Sequence, residues 1–153
     1  MNFYALTGQL IREWVKLELF LSLWLTDLLN VDEFRSRLLW NSYGDLRSKL
    51  NLLRTLVHNY ADEGLWDESR DILARTEKIA EDRFILAHTF GDVDAAASHL
   101  TYSSEKSDKE QIDTAHLQRW VNEINECQNR IREFKGKLHN RVHEKSLVQR
   151  RPL

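Results

Sequence analysis

The sequence predicts an all-α chain, an up-and-down bundle of about five helices, and three observations carry that expectation. Apolar residues recur at three- and four-residue steps over long stretches, which is the spacing of one helix face. Turn punctuation is scarce: 153 residues hold five glycines and a single proline, Pro152, too few for a many-stranded sandwich. Where breaks occur they carry Asn, Asp, Ser or Gly, the residues that cap helices and close turns. The length suits one domain, residues 1–153, with a core that needs no covalent staples.

The first helix is expected over residues 3–29. Leu10, Trp14, Leu17, Leu21, Trp24 and Leu28 make its inward stripe, while Leu19, Phe20, Leu23 and Leu25 carry apolar surface to other sides. A helix apolar nearly all round must be covered nearly all round, at the centre of a bundle or in a subunit interface. Asn30 is placed to cap a short second helix holding Phe34, Leu38, Leu39 and Trp40. The run Asn41-Ser42-Tyr43-Gly44-Asp45 breaks the chain. A third helix follows, striped by Leu46, Leu50, Leu53, Val57 and Tyr60, and ends at Asp62-Glu63-Gly64.

A fourth helix starts near Trp66 with acids in its first turns, where the helix dipole favours them. Its stripe is Leu65, Ile72, Thr76, Ile79 and Arg83, so a charge falls where an apolar residue belongs. A charge turned inward needs a partner or a ligand. Residues 91–107, with Gly91-Asp92 and a Ser/Thr/Tyr-rich stretch, read as a loop with a short strand or hairpin near 98–103. The fifth helix begins at the capping box Ser107-x-x-Glu110 or at Thr114 and carries Leu117, Val121, Ile124, Ile131, Leu138 and Val142. A stripe of roughly seven turns is long for a compact domain, so its C-terminal half is expected to project or to pack on a partner.

Charge is uneven. Residues 130–151 hold eight cations against two carboxylates, +6, which leaves −8 for the rest of a chain whose net charge is −2. Residues 61–82 are the acidic counterpart, with eight carboxylates against Arg70, Arg75 and Lys78. A basic helix end can track a phosphate backbone, and Arg130, Lys135, Lys137 and Arg141 are its candidate nucleic-acid contacts. The competing reading is a solvated helix face. Cys127 stands alone, so no disulfide framework exists and a cytoplasmic location is the default expectation. No signal peptide is evident. The most apolar segment, residues 19–29, runs uncharged for only eight residues between Glu18 and Asp27. A bilayer span needs roughly 20, so no membrane association is expected.

Arg83-Phe84-Ile85-Leu86-Ala87-His88 is the run with the most chemistry in it. It sets an anion-binding guanidinium and a proton-transferring imidazole five residues apart, just before the Gly91-Asp92 break. On an ideal helix that separation is about 140° of rotation, so the two share a recess only if the helix ends between them or if two copies meet. Glu18 on the first helix and Ser48-Lys49 on the third complete the set. Each has a structural reading as well. Arg83 pairs with Glu18 or with an acid on the fifth helix. His88 bonds free carbonyls at a helix end. Glu18 is a core-paired carboxylate, and Lys49 lays its stem over apolar surface. The five tryptophans read as core and interface packing.

These residues resemble the HEPN superfamily (higher-eukaryote and prokaryote nucleotide-binding domains), whose mark is Arg-x4–6-His at the end of a helix in a four-helix bundle. The run from Asp82 to His88 is similar to the family's Arg-Asn-x-x-Ala-His form. Mannitol-operon repressor-like proteins look like a related branch. The resemblance covers residues 3–145, but its specific part is one short motif. It implies a metal-independent endoribonuclease of toxin–antitoxin or defence type. Arg83 and His88 would be catalytic, with Glu18 and Lys49 supporting, and RNA would be cut to a 2′,3′-cyclic phosphate. No cofactor is implied. The implied partners are RNA, an antitoxin or other protein, and a second copy in a homodimer whose two motifs face one cleft. Phe84 departs from the pattern, because active members commonly carry a polar residue there. That leaves open a catalytically inactive module binding a partner protein or RNA, or a repressor-like regulator. No metal site is expected: His139 and His143 form an i,i+4 pair, but no third ligand is evident.

Overall fold

A computed structural model of the chain describes residues 2–89, 100–102 and 110–149; of these, residues 84–89, 100–102, 110–111, 143 and 145–149 are described by their backbone alone. Among the described residues the fold is an all-α bundle with one small ribbon. Its elements are α1 (Phe3–Ser22), α2 (Trp24–Leu29), α3 (Glu33–Ser42), α4 (Leu46–Tyr60), α5 (Glu63–Thr89), β1 (Leu100–Tyr102), β2 (Glu110–Ile112) and α6 (Thr114–Gln149).

The first expected helix is a single apolar rod with a joint at Leu23, so it counts as α1 and α2. Ser22 and Thr26 donate their hydroxyls to the carbonyls of Leu19 and Leu23, both at 2.7 Å. Such back-bonding competes with the backbone ladder and bends helices. Asn30 does not cap α3. It closes α2 in the left-handed region, φ 52°, which Asn tolerates better than most residues. Asp32 is the cap instead, accepting from the Arg35 N–H at 2.8 Å. Asp45 caps α4 in the same way through the Ser48 N–H, 2.8 Å. The α4 stripe ends one residue off expectation, with Tyr60 exposed and Ala61 buried. α5 starts at Glu63, earlier than Trp66.

The capping box at Ser107 does not start the last helix. Glu110 lies in β2, and α6 begins at Thr114, where Asp113 accepts from the His116 N–H at 2.9 Å. β1 pairs antiparallel with β2, Leu100 opposite Ile112, Thr101 opposite Gln111 and Tyr102 opposite Glu110. The remainder of the 91–107 loop lies outside the described residues.

Long-range contacts give the directions. Gln128 on α6 donates to the Glu13 carbonyl at 2.7 Å, and the Trp24 indole donates to the Ile131 carbonyl at 3.2 Å. Both chain positions advance together, so α1 and α2 run parallel to α6. Arg75 meets Glu126 and Glu68 meets Lys137, so α5 runs antiparallel to α6. Arg54 meets Glu77 across α4 and α5, which are joined by a two-residue link and are also antiparallel.

α6 is 36 residues, about 54 Å, and its C-terminal half does not project as expected up to Leu138. Ile131, Phe134 and Leu138 are fully buried, with Phe134 packed on Trp24 at a ring separation of 4.4 Å. The apolar excess of α1 and α2 explains this. Leu17, Leu21, Trp24 and Leu25 are also fully buried, and α6 is their principal cover. Burying one such side chain contributes about 1.5–3 kcal/mol.

Candidate functional site

Three helices meet around a recess of about 400 Å³. α1 supplies Trp14 and Glu18, α4 supplies Leu46 and Lys49, and α5 supplies Ala80 and Arg83, with Gly44 at the turn before α4. Three of the residues singled out in the sequence, Glu18, Lys49 and Arg83, therefore line one space. Local folding places each of them. Trp14 and Glu18 are one turn apart on the same face of α1. Lys49 follows the Asp45 cap in the second turn of α4, and Arg83 continues the stripe of α5.

Glu18 is the hub. Its Oε1 accepts from the Trp14 indole N–H at 2.7 Å. Its Oε2 accepts from the Trp40 indole at 3.3 Å and from the Lys49 ammonium at 3.2 Å. The Lys49 side chain is only 14% exposed, and its ammonium sits 5.2 Å from the centre of the Trp40 ring. Two tryptophans expected as plain packing are thus also hydrogen-bond donors to a carboxylate. The Trp14–Glu18 spacing was readable from the i,i+4 interval; the Trp40 contact spans 22 residues and has no local signature.

Arg83 is not the inward charge the stripe suggested. It is exposed at the mouth of the recess, because the stripe leaves the core in the last turns of α5. Among the described residues its packing partner is an aromatic face: the guanidinium carbon lies 5.2 Å from the centre of the Trp14 ring. Glu18 pairs with Lys49 rather than with Arg83. The recess therefore carries two cations and one carboxylate, with Lys49 neutralised by Glu18 and the Arg83 charge turned to solvent. Such a site suits an oxyanion, since a guanidinium stacked on an indole keeps its donor fork available.

The His88 side chain lies outside what is described. Its backbone is within α5, which stays helical to Thr89. The helix does not end between Arg83 and His88, so their α-carbons sit about 140° apart around one axis.

The four basic residues proposed to track a phosphate backbone are each met by carboxylates of the chain. Arg130 pairs with Asp71 at 2.6 Å, Lys137 with Glu68 at 2.8 Å and Lys135 with Asp27 at 3.0 Å. Arg141 lies 3.8 Å from both Asp62 and Glu144. Arg130 and Lys137 thus join the basic stretch to the acidic one across α5 and α6, whereas Lys135 meets α2 and Arg141 the link before α5. His139 Nδ1 contacts Asp27 at 2.6 Å. No group of three or more His, Cys, Asp or Glu side chains among the described residues is arranged to hold a metal ion.

A buried polar node between α1 and α6 had no sequence signature. Burial pushes the Glu13 carboxyl up, but hydrogen bonds from Lys16, Gln128 and Arg12 outweigh it and hold the group below its ordinary value. Burial pushes the Cys127 thiol up, so it is a poor nucleophile. No helix of the described residues is long and apolar enough to cross a membrane. No family model, curated protein or solved structure matches the chain.

Proposed function

We propose that the α1–α4–α5 recess grips a backbone phosphate of RNA, and that the chain is a HEPN-like, metal-independent endoribonuclease in which His88 moves the proton. The observation that carries the binding half is the convergence of Arg83, Lys49 and Glu18 on one open recess. Arg83 offers a planar donor fork to two phosphate oxygens. Lys49, its charge paired with Glu18, adds an ammonium donor behind it. The catalytic half rests on the sequence. An imidazole takes the 2′-hydroxyl proton, the 2′-oxygen attacks phosphorus as the bond to the 5′-oxygen breaks, and the imidazolium returns the proton to that leaving oxygen, giving a 2′,3′-cyclic phosphate. A well-placed general base contributes about 10²–10⁴-fold in rate.

Because α5 is continuous, the arginine and the histidine are brought to one phosphate by a second copy of the chain. α1 carries the face for that contact. Tyr4, Ile11 and Val15 are 49%, 50% and 61% exposed and lie on one side of the helix at coiled-coil spacing.

A second reading is an inactive module that binds RNA or a protein partner, as a repressor-like regulator does. Phe84 beside Arg83 and the unbroken helix between Arg83 and His88 favour it. The experiment that separates the readings is cleavage of structured and single-stranded RNA without metal ions. The nuclease reading expects cut RNA with cyclic phosphate ends, and none from His88→Ala at unchanged helicity. Uncut RNA that is nonetheless bound leaves the RNA-binding module, and RNA neither cut nor bound overturns both RNA readings and leaves only the module that binds a protein partner.

A further inference from the structure

We propose that a second recess, at the opposite end of the α4–α5 pair, binds a small oxyanion of the phosphate class, such as a phosphate monoester. It shares no residue with the first. Arg54, Val57 and His58 come from the last turns of α4, and Trp66, Ser69 and Arg70 from the first turns of α5, around a volume of about 340 Å³. Among the described residues, the charged side chains that line it are the arginines, and no carboxylate lines it.

The indole of Trp66 is the central group. Its Nε1 is buried and has no hydrogen-bond partner among the described residues. Native proteins nearly always satisfy such a donor, so this N–H has an acceptor to gain. The His58 ring packs on the Trp66 ring at 4.3 Å between centres, tilted by 39°, which fixes the indole in place. The Ser69 hydroxyl donates a hydrogen bond to the Trp66 carbonyl at 2.8 Å and steadies the same turn.

The two guanidiniums differ in freedom. Arg54 is held by Asn51 and Glu77, both at 2.8 Å, so its guanidinium is fixed in position with its charge already paired. Arg70 is 70% exposed, and among the described residues its ion-pair partner is Asp67, itself 92% exposed, at 3.3 Å. An exposed pair of that kind contributes little, so an incoming oxyanion can displace Asp67 from the guanidinium. The recess also sits in the first turns of a long helix, where the dipole favours negative charge. A ligand oxyanion would accept from the Trp66 N–H and from Arg70, with Arg54 behind it.

The test follows the indole N–H resonances of the ¹⁵N-labelled full chain, with Trp66→Phe assigning the Trp66 signal. Inorganic phosphate, adenosine 5′-monophosphate and acetate are the probes, against chloride at matched ionic strength. The Trp66 signal should move saturably with phosphate and the monophosphate. A response to acetate as well widens the ligand class to carboxylates. Arg70→Ala, a substitution on the surface, should weaken the response about tenfold or more, the loss expected for one charge-assisted hydrogen bond. Arg83→Ala should leave it unchanged, which separates this site from the RNA recess. A Trp66 signal that stays still with phosphate and the monophosphate, that follows chloride equally, or that responds the same in Arg70→Ala overturns the proposal.

Discussion

Replacing Glu18 with leucine removes the acceptor that two indoles and one ammonium share. Trp14 and Trp40 are 2% and 3% exposed, so each would keep a buried N–H with nothing to bond. An orphaned buried donor costs about 1–3 kcal/mol. Lys49 would lose its counter-ion, and breaking a fully buried pair costs about 3–5 kcal/mol. The Glu18 side chain is 26% exposed, so water offsets part of that loss. The contributions overlap, because relaxation around one donor relieves the others. A net cost of about 3 kcal/mol is expected, or about 6–12 °C in melting temperature for a domain of this size.

Urea unfolding followed by tryptophan fluorescence measures it, since two of the five tryptophans touch the substituted carboxylate. Glu18→Gln keeps one acceptor oxygen and should cost about half as much. Glu18→Leu with Lys49→Met removes both charges and should be more stable than the sum of the single losses, because deleting a whole pair is far cheaper than breaking it. A Glu18→Leu cost below about 1 kcal/mol, or strict additivity in the double variant, would refute the hub.

Acid should loosen the fold through three carboxyls. Burial raises Glu13, but hydrogen bonds from Lys16, Gln128 and Arg12 hold it below its ordinary 4.5, while Asp45 and Asp113 are held below 3.8 chiefly by the backbone N–H groups of Ser48 and His116. A lowered folded-state value means that their stabilisation is full above those ordinary values and is lost as pH falls through the lower ones. Melting temperature should therefore drop below about pH 4.5, and Glu13→Gln should flatten that limb; an unchanged acid limb contradicts the assignment. Lys137→Ala breaks an exposed pair and should cost under about 1 kcal/mol with RNA affinity intact; a large loss of affinity would return the α6 cations to the binding surface. Ile11→Glu should turn a dimer into a monomer by light scattering, and a wild-type chain that is already monomeric at high concentration removes the α1 interface.

Much of the helical layout was legible because the apolar stripes of α1, α4, α5 and α6 repeat for several turns each. Breaks were less legible. Asn30 has the right residue type for an N-cap, and only the backbone distinguishes that role from a left-handed stop. Ser107 and Glu110 match a capping box, yet Glu110 is taken by a strand pairing that no local pattern announces. At the recess, Glu18, Lys49 and Arg83 were each visible as charges in helices, but their meeting depends on how three helices cross. The surplus of cations in residues 130–151 and of carboxylates in residues 61–82 was plain in the composition. That the two stretches pair in part required the antiparallel register of α5 on α6, which sets Asp71 against Arg130 and Glu68 against Lys137.

The most direct test is the affinity of the full chain for a short single-stranded RNA, read by fluorescence anisotropy at two salt concentrations, with Arg83→Ala alongside. The substitution is expected to weaken binding by about 10–100-fold and to reduce the salt slope by about 0.7, the value for one lost phosphate contact, while helicity stays the same. Equal affinity and equal slope for the two proteins would mean that RNA, if bound at all, does not enter the recess between Trp14, Lys49 and Arg83.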